Sequence, residues 1–280
     1  MPDRLIIQIS DTHVVEEGRL LHDKVDSYAN LEAIFTSIEN AERKPDAVLL
    51  TGDLTDHGHA HEYERLRSLV VPFADRIGVP VVLTPGNHDD REQFRTSLME
   101  GKGTGPIDQV VWAGGLRLIA LDSTVPGHHH GELSDEQLEF LDNELDETAS
   151  EGTIIALHHP PVPSPLRVVN MLGLHEPEKL ARVIEDRGVV MLLAGHAHHA
   201  TAGMFAGAPV WVATATAYQA DLLAPSDLMR GIPGSGYTRI DVADGKAFAS
   251  QVATAFGQAP IYEFPLAALE EHIAALAASK

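Results

Sequence analysis

A chain of 280 residues with 44% hydrophobic residues has apolar material for one large α/β domain or two small ones, which excludes a disordered chain. With 41 acidic against 20 basic residues and a net charge of -21, it repels nucleic-acid backbones and anionic membranes, and a phosphate-bearing substrate would need cations in its site. It has no cysteine, which removes disulfides, thiolate metal sites and cysteine nucleophiles together and fits a reducing cytoplasm.

The apolar run 5–9 is too short for a signal peptide, and no run approaches membrane-spanning length. The expectation is a soluble, cytoplasmic protein with no membrane or nucleic-acid partner. Short apolar runs at 5–9, 47–50, 79–83, 116–121, 153–157 and 189–193 read as buried strands. Helix-period segments at 28–43, 61–71, 91–99, 135–145 and 178–186 alternate with them. Ser134-Asp135-Glu136-Gln137 has the form of a capping box ahead of Leu138, Leu141 and Leu145. Gly114-Gly115 reads as a hairpin turn between 110–112 and 116–121.

After Gly195 the pattern changes. Met204 and the runs 210–212, 237–242 and 248–252 predict antiparallel strands. The tail 265–280 reads as an Ala-rich helix with Leu266, Leu269, Ile273 and Leu276 on one face. The expected organisation is one catalytic domain, 1–256, followed by the tail 257–280, a packing element or a homodimer contact. Two long loops, 160–177 and 214–236, read as lids or specificity loops, or equally as solvated excursions or subunit contacts.

Nearly every predicted strand ends in metal-binding residue types. The segments are Ser10-Asp11-Thr12-His13, Thr51-Gly52-Asp53-Leu54-Thr55-Asp56, Pro85-Gly86-Asn87-His88-Asp89, Leu157-His158-His159-Pro160-Pro161 and Ala194-Gly195-His196-Ala197-His198. Ligands of open α/β folds bind beyond the carboxyl ends of the strands, where these residues fall. In extended backbone, residues two apart share a face, so Asp11 with His13, and His196 with His198, are expected to face one site by alternation. Oxygen and imidazole donors suit Mn, Fe, Co or Zn. The candidates Asp11, His13, Asp53, Asn87, His158, His196 and His198 are too many for one tetrahedral ion and right for two ions sharing a carboxylate.

The order D-x-H, G-D-x-x-D, G-N-H-D, H, G-H-x-H resembles the calcineurin-like metallophosphoesterase superfamily. Five motifs in order make the resemblance specific. Nearly the whole chain is similar to the bacterial class III cyclic nucleotide phosphodiesterases, especially the mycobacterial type, through 51–56, 85–89, 121–123, 126–133, 158–161 and 194–198. The resemblance implies a four-layer α/β/β/α sandwich with two mixed sheets and two divalent or mixed-valence ions (Fe, Mn, Zn or Co) at the sheet edge. It assigns Asp11, His13 and His198 to one ion, Asn87, His158 and His196 to the other, and Asp53 to both. His88 would sit beside the phosphate and donate a proton to the leaving oxygen or stabilise its charge.

The implied reaction is hydrolysis of 3′,5′-cyclic nucleotides, cyclic AMP first, to nucleoside monophosphates by a hydroxide between the metals. Glycerophosphodiesterases and broad phosphodiesterases share the same ligands, so that alternative stays open. A protein-interaction scaffold would show damaged ligand positions, and none is damaged. Two divalent ions, two aspartates and a hydroxide leave about one positive charge, which suits a small-molecule phosphodiester better than a monoester dianion. Asp56 and Asp89 either orient metal-bound imidazoles or serve as turn and cap residues. His159 and Asp122 read as structural hydrogen-bonders. His57, His59 and His61 read as solvated, and His128-His129-His130 cannot all face one ion.

Overall fold

Alternation along the apolar runs sets the layers. In β1 (Arg4–Ile9), Leu5, Ile7 and Ile9 pack toward Leu31 and Phe35 of α1 (Ser27–Asn40), while Ile6 points to the opposite face. In β2 (Ala47–Thr51), Val48 and Leu50 take the helix side and Ala47 and Leu49 the other. With apolar residues on both faces, these strands are stable only when both faces are covered. The computed structural model describes residues 3–254, 259 and 261–278.

The remaining elements are β3 (Val81–Thr84), β4 (Gln109–Ala113), β5 (Leu116–Leu121), β6 (Thr153–Leu157), β7 (Val189–Ala194), β8 (Thr201–Phe205), β9 (Ala208–Val212), β10 (Gln219–Ala220), β11 (Gly231–Ile232), β12 (Gly236–Ala243) and β13 (Lys246–Ala253). One sheet runs β13-β12-β1-β2-β3 and the other β4-β5-β6-β7-β9-β8, with β10 and β11 forming a small ribbon. Parallel pairs β1·β2, β2·β3, β5·β6, β6·β7 and β7·β9 sit beside antiparallel edges, so both sheets are mixed. Their facing surfaces bury Ile6, Leu49, Leu118, Ile154, Met191 and Leu193. Helices α1, α2 (Ala60–Ile77) and α3 (Arg91–Leu98) cover the first sheet through Leu31, Leu66, Phe73 and Phe94. Helices α4 (Asp135–Asp146), α5 (Arg167–Met171) and α6 (Pro177–Ile184) cover the second through Leu141, Val169 and Leu180. The result is the α/β/β/α sandwich.

Several elements differ from the sequence reading. Helix α2 continues through Pro72 to Ile77, because Phe73 and Ile77 add to the buried face and Gly78, at φ 67°, ends the helix in left-handed backbone. The loop 160–177 contains α5, too short for its period to show in the sequence. Strand β9 is antiparallel to β8 but parallel to β7, because the β8–β9 hairpin folds back and inserts β9 next to β7. The tail forms α7 (Leu266–Ala278), on which Leu266, Leu269 and Ile273 are exposed. The side chain of Leu276 and the expected domain boundary at 256/257 lie outside the described residues. No helix among the described residues is long and apolar enough to cross a membrane.

Candidate metal centre

The carboxyl ends of β1, β2 and β3 are adjacent in one sheet, and those of β6 and β7 in the other, so five loops empty into one edge. The segment after β1 zips against the one after β2, with His13 N donating to Asp53 O at 2.9 Å and Val14 N to Leu54 O at 3.0 Å. The two sheets are tied there by Gln8 Nε2 donating to Ala194 O at 3.0 Å and by His196 N donating to both Asp11 carboxylate oxygens at 3.0 and 3.1 Å.

Alternation is not what aims the side chains. Asp11, His13, Asp53, His196 and His198 all have left-handed backbone, with φ of 53°, 42°, 50°, 68° and 54°. Residues of this kind are sparsely populated in that region, and their grouping here marks a site held by its surroundings. The expected facing of Asp11 with His13 and of His196 with His198 is seen, but each pair converges because both of its members turn back sharply. Gly52, at φ 85°, packs so closely that a Cβ there would overlap the His158 ring.

Asp11, His13, Asp53 and His198 are buried with one donor atom each within 4.8 Å of the others. Asp53 Oδ2 is 3.7 Å from His13 Nε2 and 3.2 Å from His158 Nε2, so one carboxylate lies between two imidazoles. His158, His159 and His196 form a second group, and His196 Nδ1 is 2.9 Å from Asn87 Oδ1. All seven expected ligands therefore reach one edge.

Ring tautomers give a test of fit to metal. His13 Nδ1 faces Asp56 Oδ1 at 2.9 Å, and His198 Nδ1 faces the Tyr218 carbonyl at 3.1 Å. A carboxylate and a carbonyl only accept, so both Nδ1 atoms carry hydrogen. Neutral rings then oppose two Nε2 lone pairs at 3.1 Å, a repulsion that a cation between them removes. His158 Nδ1 likewise donates to Thr51 O at 3.0 Å, and its buried Nε2 is left with no hydrogen-bond partner. The donor set fits borderline transition ions.

Electrostatics agree. Burial opposes ionisation of Asp53, but His158, His13 and His88 hold its carboxyl well below the usual range. Burial and His158 lower His196 to about 3, and burial and His13 lower His198 to about 3, which keeps both rings unprotonated. Burial works against the charge on His158, yet Asp53 and Asp11 raise it to about 9, a proton that a metal would displace.

The neighbouring residues take distinct places. Asp56 orients His13, as a carboxylate behind a metal-binding imidazole does. Asp89 does not act this way: it accepts from Leu54 N, Thr55 N, Gly86 N, Thr55 Oγ1 and Tyr63 OH, binding the loop after β2 to the loop after β3. His88 Nδ1 donates to Asp56 O at 2.7 Å, and its ring is edge-on to His13 at 4.8 Å, partly open to solvent. Buried His159 Nδ1 pairs with Ser123 Oγ at 2.9 Å. Asp122 holds Arg91 at 2.7 Å and caps Thr124. His128 and His130 pack together and His130 stacks on His175, whereas His129 Nδ1 turns to Asn87 Nδ2 at 3.1 Å. Sequence reasoning did not single out His129 individually, nor Tyr218, whose ring lies 4.4 Å from that of His198. A lone tyrosine in a long loop carries no sequence signal.

Residues 4–200 match the family described as calcineurin-like phosphoesterase. The chain is 43% identical to a cAMP/cGMP dual specificity phosphodiesterase of Mycobacterium tuberculosis, over 84% of this chain and 74% of that one. It is 30% identical to a probable glycerophosphodiester phosphodiesterase of Arcobacter nitrofigilis, over 78% and 80%. Its fold is similar to that of a dimetal phosphatase from Danio rerio, with a TM-score of 0.64 at 16% identity, over 89% of this chain and 99% of that one.

Proposed function

The chain belongs to the calcineurin-like phosphoesterase family, and on that premise we propose that it hydrolyses 3′,5′-cyclic nucleotides, cyclic AMP first, to nucleoside monophosphates at a two-metal centre. Asp11, His13 and His198 hold one ion, Asn87, His158 and His196 the other, and Asp53 both. The observation that carries this reading is the Asp53 carboxylate lying between His13 and His158. When bound, two ions from the Mn, Fe, Co and Zn class lower the pKa of a water and neutralise charge at phosphorus.

The protein's own groups supply the rest. Asp53, held ionised, also accepts from His88 N at 2.9 Å, which fixes the loop carrying both Asn87 and His88. His88 donates its Nδ1 hydrogen to Asp56 O, so its Nε2 is free to carry a proton to the leaving O3′. The substrate preference is supported by the 43% identity to a cyclic nucleotide phosphodiesterase and by charge. Arg91, the guanidinium beside the motifs, is paired with Asp122 and hydrogen-bonded to Thr124, which leaves it occupied rather than offered to a monoester dianion. The acidic composition supports a small-molecule rather than nucleic-acid substrate, and the absence of cysteine a cytoplasmic location. The exposed Leu266, Leu269 and Ile273 support a homodimer contact at α7.

The test is kcat/KM of metal-reconstituted protein on cyclic AMP, glycerophosphoethanolamine, bis(nitrophenyl) phosphate and a phosphomonoester. Cyclic AMP should lead. A glycerophosphodiester preferred by more than about tenfold, roughly 1.4 kcal/mol, would overturn the cyclic nucleotide reading in favour of the activity named for the Arcobacter relative.

A further inference from the structure

The histidines at the entry to α2 belong to none of the roles above. His57, His59 and His61 are exposed, yet they are not dispersed in solvent. The His57 and His59 rings are parallel, 5.5 Å apart at 7°, and the His61 ring follows at 5.3 Å from His59. Beneath them lies Glu62, with its side chain only 1% exposed. Its Oε2 accepts from His57 N at 3.0 Å and His59 N at 3.2 Å, which closes the first turn of α2. Its Oε1 meets the imidazole of His57, Nδ1 at 2.8 Å. The partners recorded for this buried carboxylate include no Lys or Arg.

The surroundings are negative. A cavity of about 530 Å³ opens over these side chains, walled by the segment after β1. Glu16, Asp23 and Asp56 face it together with Glu62, against a single guanidinium, Arg19, which is already paired with Glu16 at 3.1 Å. His61 Nε2 is 3.7 Å from Glu16 and His57 Nε2 is 3.5 Å from Asp56. One donor atom from each of His57, His59 and Glu62 lies within 4.8 Å of the others. Ions bound by imidazole and carboxylate at about 2.0–2.2 Å need donors somewhat closer than this, and exposed rings on a loop have the freedom to close in.

We propose that His57, His59 and Glu62 form a third metal site, outside the catalytic centre, that takes a borderline transition ion such as Zn²⁺, Co²⁺ or Ni²⁺. Two imidazoles and a carboxylate are the donors this class prefers over Mg²⁺ or Ca²⁺. Binding would replace the hydrogen between His57 and Glu62 with the ion and release that proton to solvent. Water would fill the remaining positions, since the cavity is open. The site owes nothing to the catalytic reading, because none of its three ligands belongs to the two-metal centre.

The test counts ions directly. Wild-type protein, the double variant His57→Ala/His59→Ala and Asp53→Ala are each brought to equilibrium with micromolar free Zn²⁺ and analysed for bound metal. The double variant should hold about one equivalent less than wild type while keeping the ions of the catalytic centre. Asp53→Ala should lose catalytic ions and keep the third, so failure of either site is read separately. If the double variant does not fold, His59→Ala, which removes one exposed ring, should show the same missing equivalent. Equal metal in wild type and variant, or no equivalent beyond the catalytic ions in wild type, would overturn the proposal.

Discussion

The two halves of the centre are built from different materials. The group nearest β1 and β2 combines two carboxylates, Asp11 and Asp53, with His13 and His198, all buried. The group fed by β3, β6 and β7 has imidazoles and the Asn87 amide, and its one anion is Asp53, at 3.2 Å from His158. Carboxylates supply charge as well as donors, so the first half should hold a divalent cation more firmly, and the second half depends on its neighbour's anion. A shared residue of this kind makes the pair cooperative and the halves unequal.

The most severe way to break that arrangement is Asp53→Ala. Elemental analysis should find both ions lost or no longer coupled, and phosphodiesterase activity should fall further than for any other variant considered. Retention of both ions with normal turnover would refute the shared carboxylate. His88→Ala should leave metal content intact while lowering turnover by roughly 10²–10⁴-fold, as loss of a general acid does. The loss should shrink for nitrophenyl esters, whose leaving groups need no proton; an equal loss across leaving groups would point to phosphate binding instead.

Asp56→Ala sharpens the contrast, because Asp56 supports only the first half, through His13. Metal affinity there should weaken by roughly 10–100-fold, read by competition with a chelator, with the second ion unaffected. The smallest effect is the order of loss in wild type. Slow chelation should remove the ion of the Asn87–His158–His196 half first, and an affinity gap of about tenfold corresponds to about 1.4 kcal/mol. Simultaneous loss of both ions would show that the halves are equal after all.

The location of the centre was legible in the sequence, because each ligand follows a short apolar run and such runs end together at one sheet edge. The reason the ligands converge was not. Strand alternation predicts the pairing of Asp11 with His13, whereas left-handed backbone at both residues produces it; φ at those positions is imposed by contacts from the other sheet, such as His196 N on the Asp11 carboxylate. Asp56 and Asp89 looked alike as aspartates closing adjacent motifs. Their division of labour, one behind an imidazole and one stapling two loops, depends on Tyr63 of α2 and on backbone donors that no spacing reveals. In the fold, α2 beyond Pro72 was missed because a proline usually ends a helix, and here the buried Phe73 and Ile77 outweigh that.

The backbone at Asp11, His13, Asp53, His196 and His198 also bears on how this chain can be improved or damaged. Glycine occupies left-handed φ without the roughly 1–2 kcal/mol that other residues incur. At five positions, then, a residue that would relax the empty protein is the residue that abolishes its metal site. Selection for robustness alone would erode the centre, and selection for activity holds the chain short of its greatest attainable stability. A library sorted only by melting temperature without metal should drift toward inactive protein at these five places, and the same library sorted with metal present should not.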